Sequence, residues 1–218
     1  MSNDRFYTKR EEKANYLSHA FGFIMAAVST YMLIQKALAA DNTTALIAFT
    51  IFGIGMMTCM FASSLYHFES RPSIKSKLRH IDHASIYLLI AASYSPFTFI
   101  VLQNEKVWSI TLFSLIWTIA IAGIIISFKP LKRNSNIKTI SYVGMGLVVM
   151  VAFKPLIDSA LKLGCIDSIY WLVIGGLFYI IGAVIYATAK REYVHAIFHV
   201  FVILGLASHI ISSFLLPI

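Results

Sequence analysis

Apolar positions along this chain gather into long stretches separated by short polar segments. Read in windows of about 19 residues, the stretches fall at roughly 16–39, 43–67, 82–102, 107–128, 139–157, 168–189 and 194–216. Most are long enough to cross a hydrocarbon layer about 30 Å thick as a helix. The pattern therefore predicts an all-α membrane protein, a seven-transmembrane helix bundle occupying residues 1–218 as a single domain, with connections too short for a separate soluble one. In the fifth stretch Lys154 and Pro155 are expected to end the helix early. The first fifteen residues are polar and of mixed charge, so no cleavable signal peptide is expected.

Short turns such as Asp41-Asn42 and Gln103-Asn104-Glu105 join adjacent spans as antiparallel helix hairpins. Gly53, Gly55, Gly144, Gly146, Gly175, Gly176 and Gly182 lie within spans, where small residues let helix backbones approach closely. Pro96, in "SYSPF", is expected to kink the third span and free a backbone carbonyl.

Composition agrees with this pattern: 58% of residues are hydrophobic, 13% are charged and the mean hydropathy is +0.76, outside the range of soluble globular proteins. The net charge of +8 is explained by where it sits. The N-terminus holds Arg5, Lys9, Arg10 and Lys13; the second connection Arg71, Lys75, Lys77 and Arg79; the fourth Lys129, Lys132, Arg133 and Lys138; the sixth Lys190 and Arg191. Fourteen of eighteen basic residues thus fall on one side, leaving Lys36, Lys106, Lys154 and Lys162 on the other. The positive-inside rule places the N-terminus in the cytoplasm and Ile218 outside. The charge is a topology signal with contact to anionic membrane lipids, and no nucleic-acid partner is expected. Cys59 and Cys165 are expected at different depths and unpaired.

Topology sorts the unusual polar groups by depth. Glu12, Asn15 and His19 share a face at the cytoplasmic start of the first span, Ser63 and His67 a face at the end of the second. His80, Asp82 and His83 open the third span from that side, and His195 and His199 open the seventh. Six of seven histidines thus lie in one layer although four helices supply them. Ionisable groups at membrane depth normally face a bundle interior or a wet cavity, so this layer is a candidate site.

Two histidines at i, i+4 can face one ion, and a third from a neighbouring helix completes a set that leaves a position for water. Imidazoles without a thiolate favour zinc, with iron, copper or nickel as alternatives. Asp82 suits a place beside the ligands, taking a proton from bound water, and Ser63 could donate to a ligand or to oxyanion charge. The plainer alternatives are interfacial anchoring for His195 and His199, and a cap or a salt bridge to Arg71 or Arg79 for His67 and Asp82. His80 and His83 are expected at the surface or in support, and Glu12, Asn15 and His19 are expected to cap the first helix or to support the site. His209 lies about 15 Å beyond His199 along the helix, too far to share an ion, but facing the interior with a polar partner.

The segments "EEKANYLSHAFG" at 11–22, "SSLYH" at 63–67, "HIDHASIYLLIAASYSPF" at 80–97 and "HAIFHVFVILGLASH" at 195–209 together resemble the hemolysin III family. This is the bacterial branch of the progestin and adipoQ receptor superfamily, related more distantly to alkaline ceramidases. The resemblance implies a seven-helix bundle in a bacterial inner (plasma) membrane and Zn2+ held near the cytoplasmic face by His67, His195 and His199. It implies that Asp82 is the aspartate contacting the water on the zinc, and Ser63 the serine preceding the first ligand. The function expected is hydrolysis of an amide or ester bond in a lipid-like substrate at the inner leaflet, the substrate class coming from the resemblance. The alternative is a membrane sensor or a cytolytic, pore-associated protein with structural zinc. A pore requires a polar stripe through several spans, and only Ser208, His209, Ser212 and Ser213 of the seventh reach deep.

Overall fold

The computed structural model describes residues 7–129, 137–189 and 191–218; Arg5, Lys132, Arg133 and Lys190 of the charge pattern lie outside the described residues. Helix α1 (Lys9–Ala39) opens on a capping box, in which Thr8 accepts from the Glu11 amide while the Glu11 carboxylate accepts from the Thr8 amide. Helix α2 (Thr43–Phe68) is capped by Asn42, whose side chain accepts from the Ala45 amide at 2.9 Å. Helix α3 (Pro72–Pro96) starts on a proline at its first position, where no amide is needed, and continues as a wider π turn over Phe97–Val101. Then follow α4 (Lys106–Ser127), α5 (Ile137–Gly146), a 3-10 segment (Leu147–Ala152), α6 (Phe153–Lys162), α7 (Ile166–Thr188) and α8 (Val194–Phe214).

With α5, the 3-10 segment and α6 forming one span, seven helices among the described residues are long and apolar enough to cross a membrane. Even α8, with 21 residues, reaches about 30 Å. Three spans extend well beyond the hydropathy reading: the first begins at Lys9, the third at Pro72, and the fifth runs from Ile137 to Lys162. A hydropathy window closes where polar side chains begin, whereas backbone hydrogen bonds continue into them.

The fifth span corrects the expectation that Lys154 and Pro155 end it. Helix α6 begins at Phe153, so Pro155 sits in its first turn, where its missing N–H leaves no helical bond unmade. The interruption comes earlier, over Leu147–Ala152. Tyr94 of α3 stabilises it: the hydroxyl reaches the carbonyls of Gly146 (2.8 Å) and Met145 (3.0 Å) and accepts from the Val149 amide at 3.0 Å. Helix α3 gives way to the π turn at Pro96, and carbonyls on either side of that junction have local partners. Thr98 donates to the carbonyls of Tyr94 and Ser95, Ser109 of α4 donates to that of Thr98, and the Leu102 amide reaches back to Phe97.

Helix α1 packs against α2 and α8, α2 against α3, and α7 against α8. Phe49, Phe52, Met56, Met60, Leu33 and Leu206 fill the interior. Phe21, Ile24 and Val28 of α1 and Ile110, Ile121 and Ile125 of α4 face outward, as lipid contact requires. Cys59 and Cys165 are free and buried, as expected.

The glycines divide. A Cβ at Gly55 would overlap Ala92, one at Gly53 would overlap Thr30, and one at Gly182 would come within 2.7 Å of Phe201 Cβ, so these are close helix approaches. Gly175 lies against His209 and the Gly205 carbonyl. Gly144, Gly146 and Gly176 meet nothing within 4 Å and are not packing sites, contrary to expectation. Gly55→Leu should therefore lower the thermal midpoint in detergent, because the methyl of Ala92 cannot swing aside, at a cost of about 1–3 kcal/mol. Gly144→Ala should leave the midpoint unchanged or raise it, since glycine in a helix interior is roughly 0.5–1 kcal/mol worse than alanine.

Candidate metal centre

His67 arrives on the last turn of α2, and His195 and His199 on the first two turns of α8. One ring nitrogen from each falls within 4.8 Å of the others, so the group could hold a metal ion. His67 and His199 are buried at 2% and 1% exposure.

Their orientation is fixed from α1. The Glu12 carboxylate lies 2.7 Å from His67 Nδ1, and a carboxylate can only accept, so Nδ1 carries the proton and Nε2 presents its lone pair. The Asn15 amide nitrogen is 3.4 Å from the same Nδ1, and Asn15 Oδ1 has no partner among the described residues. A donor facing a donor is unfavourable, so we read the amide the other way round, with its oxygen toward His67. His199 Nδ1 lies 3.2 Å from the Asn15 carbonyl and 3.1 Å from Ser18 Oγ. The carbonyl accepts, and Ser18 spends its own proton on that carbonyl at 2.8 Å. His199 Nδ1–H is therefore the donor, and its Nε2 is left for a ligand.

His67 Nε2 and His195 Nε2 stand 3.0 Å apart. With the His67 lone pair turned there, His195 either donates an Nε2 proton to it or presents its own lone pair, in which case a cation must lie between the two. Two imidazole nitrogens on one tetrahedral zinc, each about 2.0–2.1 Å from it, stand about 3.3 Å apart, so this pair fits such an ion, with the third nitrogen within 4.8 Å. A histidine ligand whose other nitrogen is held by a carboxylate or a carbonyl is the arrangement expected around a metal.

The remaining candidates divide by position. His19 stacks on His199 with ring centroids 3.6 Å apart. Asp82 is buried on α3 beside the Ser63 side chain and near His67. Arg71 does not pair with Asp82; its guanidinium binds Glu69 at 2.7 Å. His80 Nδ1–H donates to the Ser127 carbonyl at 2.7 Å, and His83 faces Lys138 at 2.8 Å, so neither joins the triad. His209 is buried, with Nε2 3.2 Å from the Leu172 carbonyl, the interior polar contact expected of it.

Sequence reasoning missed Ser18, Glu11 and Lys75. Ser18 stands one turn from Asn15, the only hint available. Glu11 Oε1 accepts from the Tyr193 amide at 3.0 Å, fixing the chain two residues before His195, where Tyr193 takes a left-handed backbone (φ 59°). Lys75 Nζ holds Glu12 Oε1 at 3.0 Å and also reaches the carbonyls of Tyr66 and Glu69.

Beside the triad lies a cavity of about 1240 Å3, lined by Ser63, Asp82, His195 and His199 and extending among apolar residues such as Phe97, Leu112 and Met150. Gly146 and Gly176 both line it, and a Cβ at either would meet nothing within 4 Å.

A family model described as haemolysin-III related matches residues 7–210. The chain is 35% identical over 198 residues to Hemolysin-3 of Bacillus cereus, covering 91% of this chain and 88% of that protein. It is 33% identical over 202 residues to the Hemolysin-3 homolog of Bacillus subtilis (strain 168), covering 93% and 92%. It is 28% identical over 211 residues to the human monocyte to macrophage differentiation factor, covering 91% and 81%. With its seven apolar helices, the chain belongs to the hemolysin III family of multi-pass membrane proteins, within the progestin and adipoQ receptor superfamily.

Proposed function

We propose that this protein is a zinc-dependent hydrolase of an amide or ester bond in a lipid-like substrate. In this reading the basic face of the bundle lies on the cytoplasmic side of a bacterial inner membrane, and the partners are membrane lipids. The observation that carries it is that His195, His199, Asp82 and Ser63 border one cavity with largely apolar walls. A structural site is closed by its ligands, whereas three protein ligands beside a cavity leave room for a reactant.

Bound at His67, His195 and His199, zinc supplies a Lewis acid that polarises a carbonyl and acidifies a water. The chain does the rest. Glu12, Asn15 and Ser18 hold the ligand rings in one tautomer and orientation. Asp82 accepts the proton lost by water as it attacks the carbonyl carbon, and returns it to the departing amine or alkoxide. Ser63 lies against Asp82 and orients that carboxylate. The apolar walls take the acyl chain and exclude bulk water.

The alternative, a sensing or cytolytic protein with structural metal, draws support from no particular contact. The serines of α8 that could line a path are buried and spent on backbone: Ser208 donates to the Leu204 carbonyl, Ser212 to that of Ser168 and Ser213 to that of His209.

Elemental mass spectrometry on chelator-free protein should find about one zinc per chain, lost in His67→Ala and in the double change His195→Ala, His199→Ala; a metal-free wild type would sink the reading. Glu12→Gln should weaken zinc about 10–100-fold, the usual effect of removing a partner behind a ligand, measured by competition with a chromogenic chelator. Asp82→Asn should keep its zinc and lose roughly 100- to 10,000-fold in hydrolysis across a panel of acyl amides and esters. Leakage of dye from liposomes carrying wild-type protein, undiminished in Asp82→Asn, would favour the pore instead.

A further inference from the structure

The cavity is charged at one end only. Arg79 of α3, Lys129 just past α4 and Lys138 in the first turn of α5 line it there, and Asp82 is the only carboxylate on its walls among the described residues. The ion pairs among those residues lie elsewhere, at Glu12, Glu69, Glu105 and Asp158. Arg79 and Lys138 are close enough to act on each other's charge, both act on His83, and the Asp82 carboxylate offsets part of the charge on Lys138 alone. Like charges gathered at the mouth of an apolar cavity repel unless an anion joins them.

Two histidines shape this end. An ammonium can only donate, so the 2.8 Å contact from Lys138 makes His83 Nδ1 the acceptor and puts the His83 proton on Nε2, a further donor. Lys138 keeps N–H groups beyond the one given to His83. His80 ties α3 to the end of α4 through the Ser127 carbonyl, two residues before Lys129, and so brings that lysine to the same rim. On α3, Arg79, Asp82 and His83 stand at i, i+3 and i+4, on one face and about one 5.4 Å turn apart.

We propose that this basic rim is a subsite for a phosphate-type anion, and that the cavity's ligand is an anionic acyl lipid with its head group about one helical turn from the linkage beside Asp82. That distance fits a short, glycerol-like spacer between anion and acyl bond. The chain of the ligand occupies the apolar part of the cavity. The assignment of Asp82 to the linkage rests on the hydrolase reading; the anion subsite rests on the rim alone. Basic residues of the same face that do not line the cavity, Lys13 and Lys77, are exposed and serve the surface potential only.

The test is lipid binding to the full-length protein in a neutral detergent, followed by native mass spectrometry, with zinc content measured on the same samples. Dioleoyl phosphatidic acid should bind at least about tenfold tighter than dioleoylglycerol, as expected for charge-assisted bonds from two or three cations. The pair Arg79→Gln, Lys138→Gln should remove that preference, and Lys13→Gln, Lys77→Gln should keep it. Lys129→Gln, at an exposed position, should reduce it by itself and covers the case in which the first pair does not fold. Displacement of the lipid by millimolar inorganic phosphate would mean that the rim takes the free anion as well; failure to displace would assign the rim to a lipid head group. Equal binding of the two lipids, or equal loss of preference in the control pair, would overturn the proposal. Absence of zinc with the preference intact would instead overturn the hydrolase reading and leave the subsite standing.

Discussion

The site depends on one contact, the Glu12 carboxylate accepting the Nδ1 proton of His67 at 2.7 Å. It joins α1 to the end of α2, and by fixing the tautomer it turns the His67 Nε2 lone pair toward His195. The same helix holds His199 through the Asn15 carbonyl and Ser18, backs it with the His19 ring, and anchors the start of α8 through Glu11 and the Tyr193 amide. Helix α1 thus contributes none of the three nitrogens that could hold a metal ion and orients two of them. Its polar face, running from Glu11 to His19, is the template on which α2 and α8 assemble. A change on that face would disturb ligands from both other helices together.

Polar groups at membrane depth must find partners within the protein, and this rule shapes the cavity as well as the site. Pro96 and the turn after it free carbonyls that Thr98 and Ser109 cover. The 3-10 break in the fifth span exposes others, and the Tyr94 hydroxyl meets three backbone groups there. Both irregularities border the cavity. A straight, continuous fifth helix would need no such support. The cavity runs past the interruption, with Gly146 and Gly176 both on its wall.

The seven spans were legible because lipid demands long apolar runs, and the layer of histidines because titratable groups in such runs are exceptional. The i, i+4 spacing of His195 and His199 showed that they share a face. It could not show that His80 and His83, equally well placed in depth, turn toward Ser127 and Lys138 instead. Which way α3 is rotated is decided by packing against α2 and α4, and hydropathy carries no trace of it. Lys75 was counted as a topology charge; that it holds Glu12 depends on α3 beginning at Pro72, before the apolar run. Pro155 misled because the rule against interior proline assumes a continuous helix, and this one restarts at Phe153. Ser18 and Glu11 are ordinary residues of a helix start, and their partners lie at the far end of the chain.

Electroneutrality ties the layer together. In the proposed reading three neutral imidazoles bring no charge to a divalent ion, and an uncompensated dication at membrane depth would be prohibitively costly. The two carboxylates that balance it approach from different sides: Glu12 behind His67, and Asp82 across from it on the cavity wall. Lys75 draws on Glu12 from the outer side, which leaves Asp82 as the carboxylate facing the ligand. Asp82, which also acts on Lys138, is the one carboxylate on the cavity wall among the described residues, set against Arg79, Lys129 and Lys138. An anion at the rim would reduce that positive excess, so in the proposed reading the charge distribution that suits the metal also favours an anionic ligand.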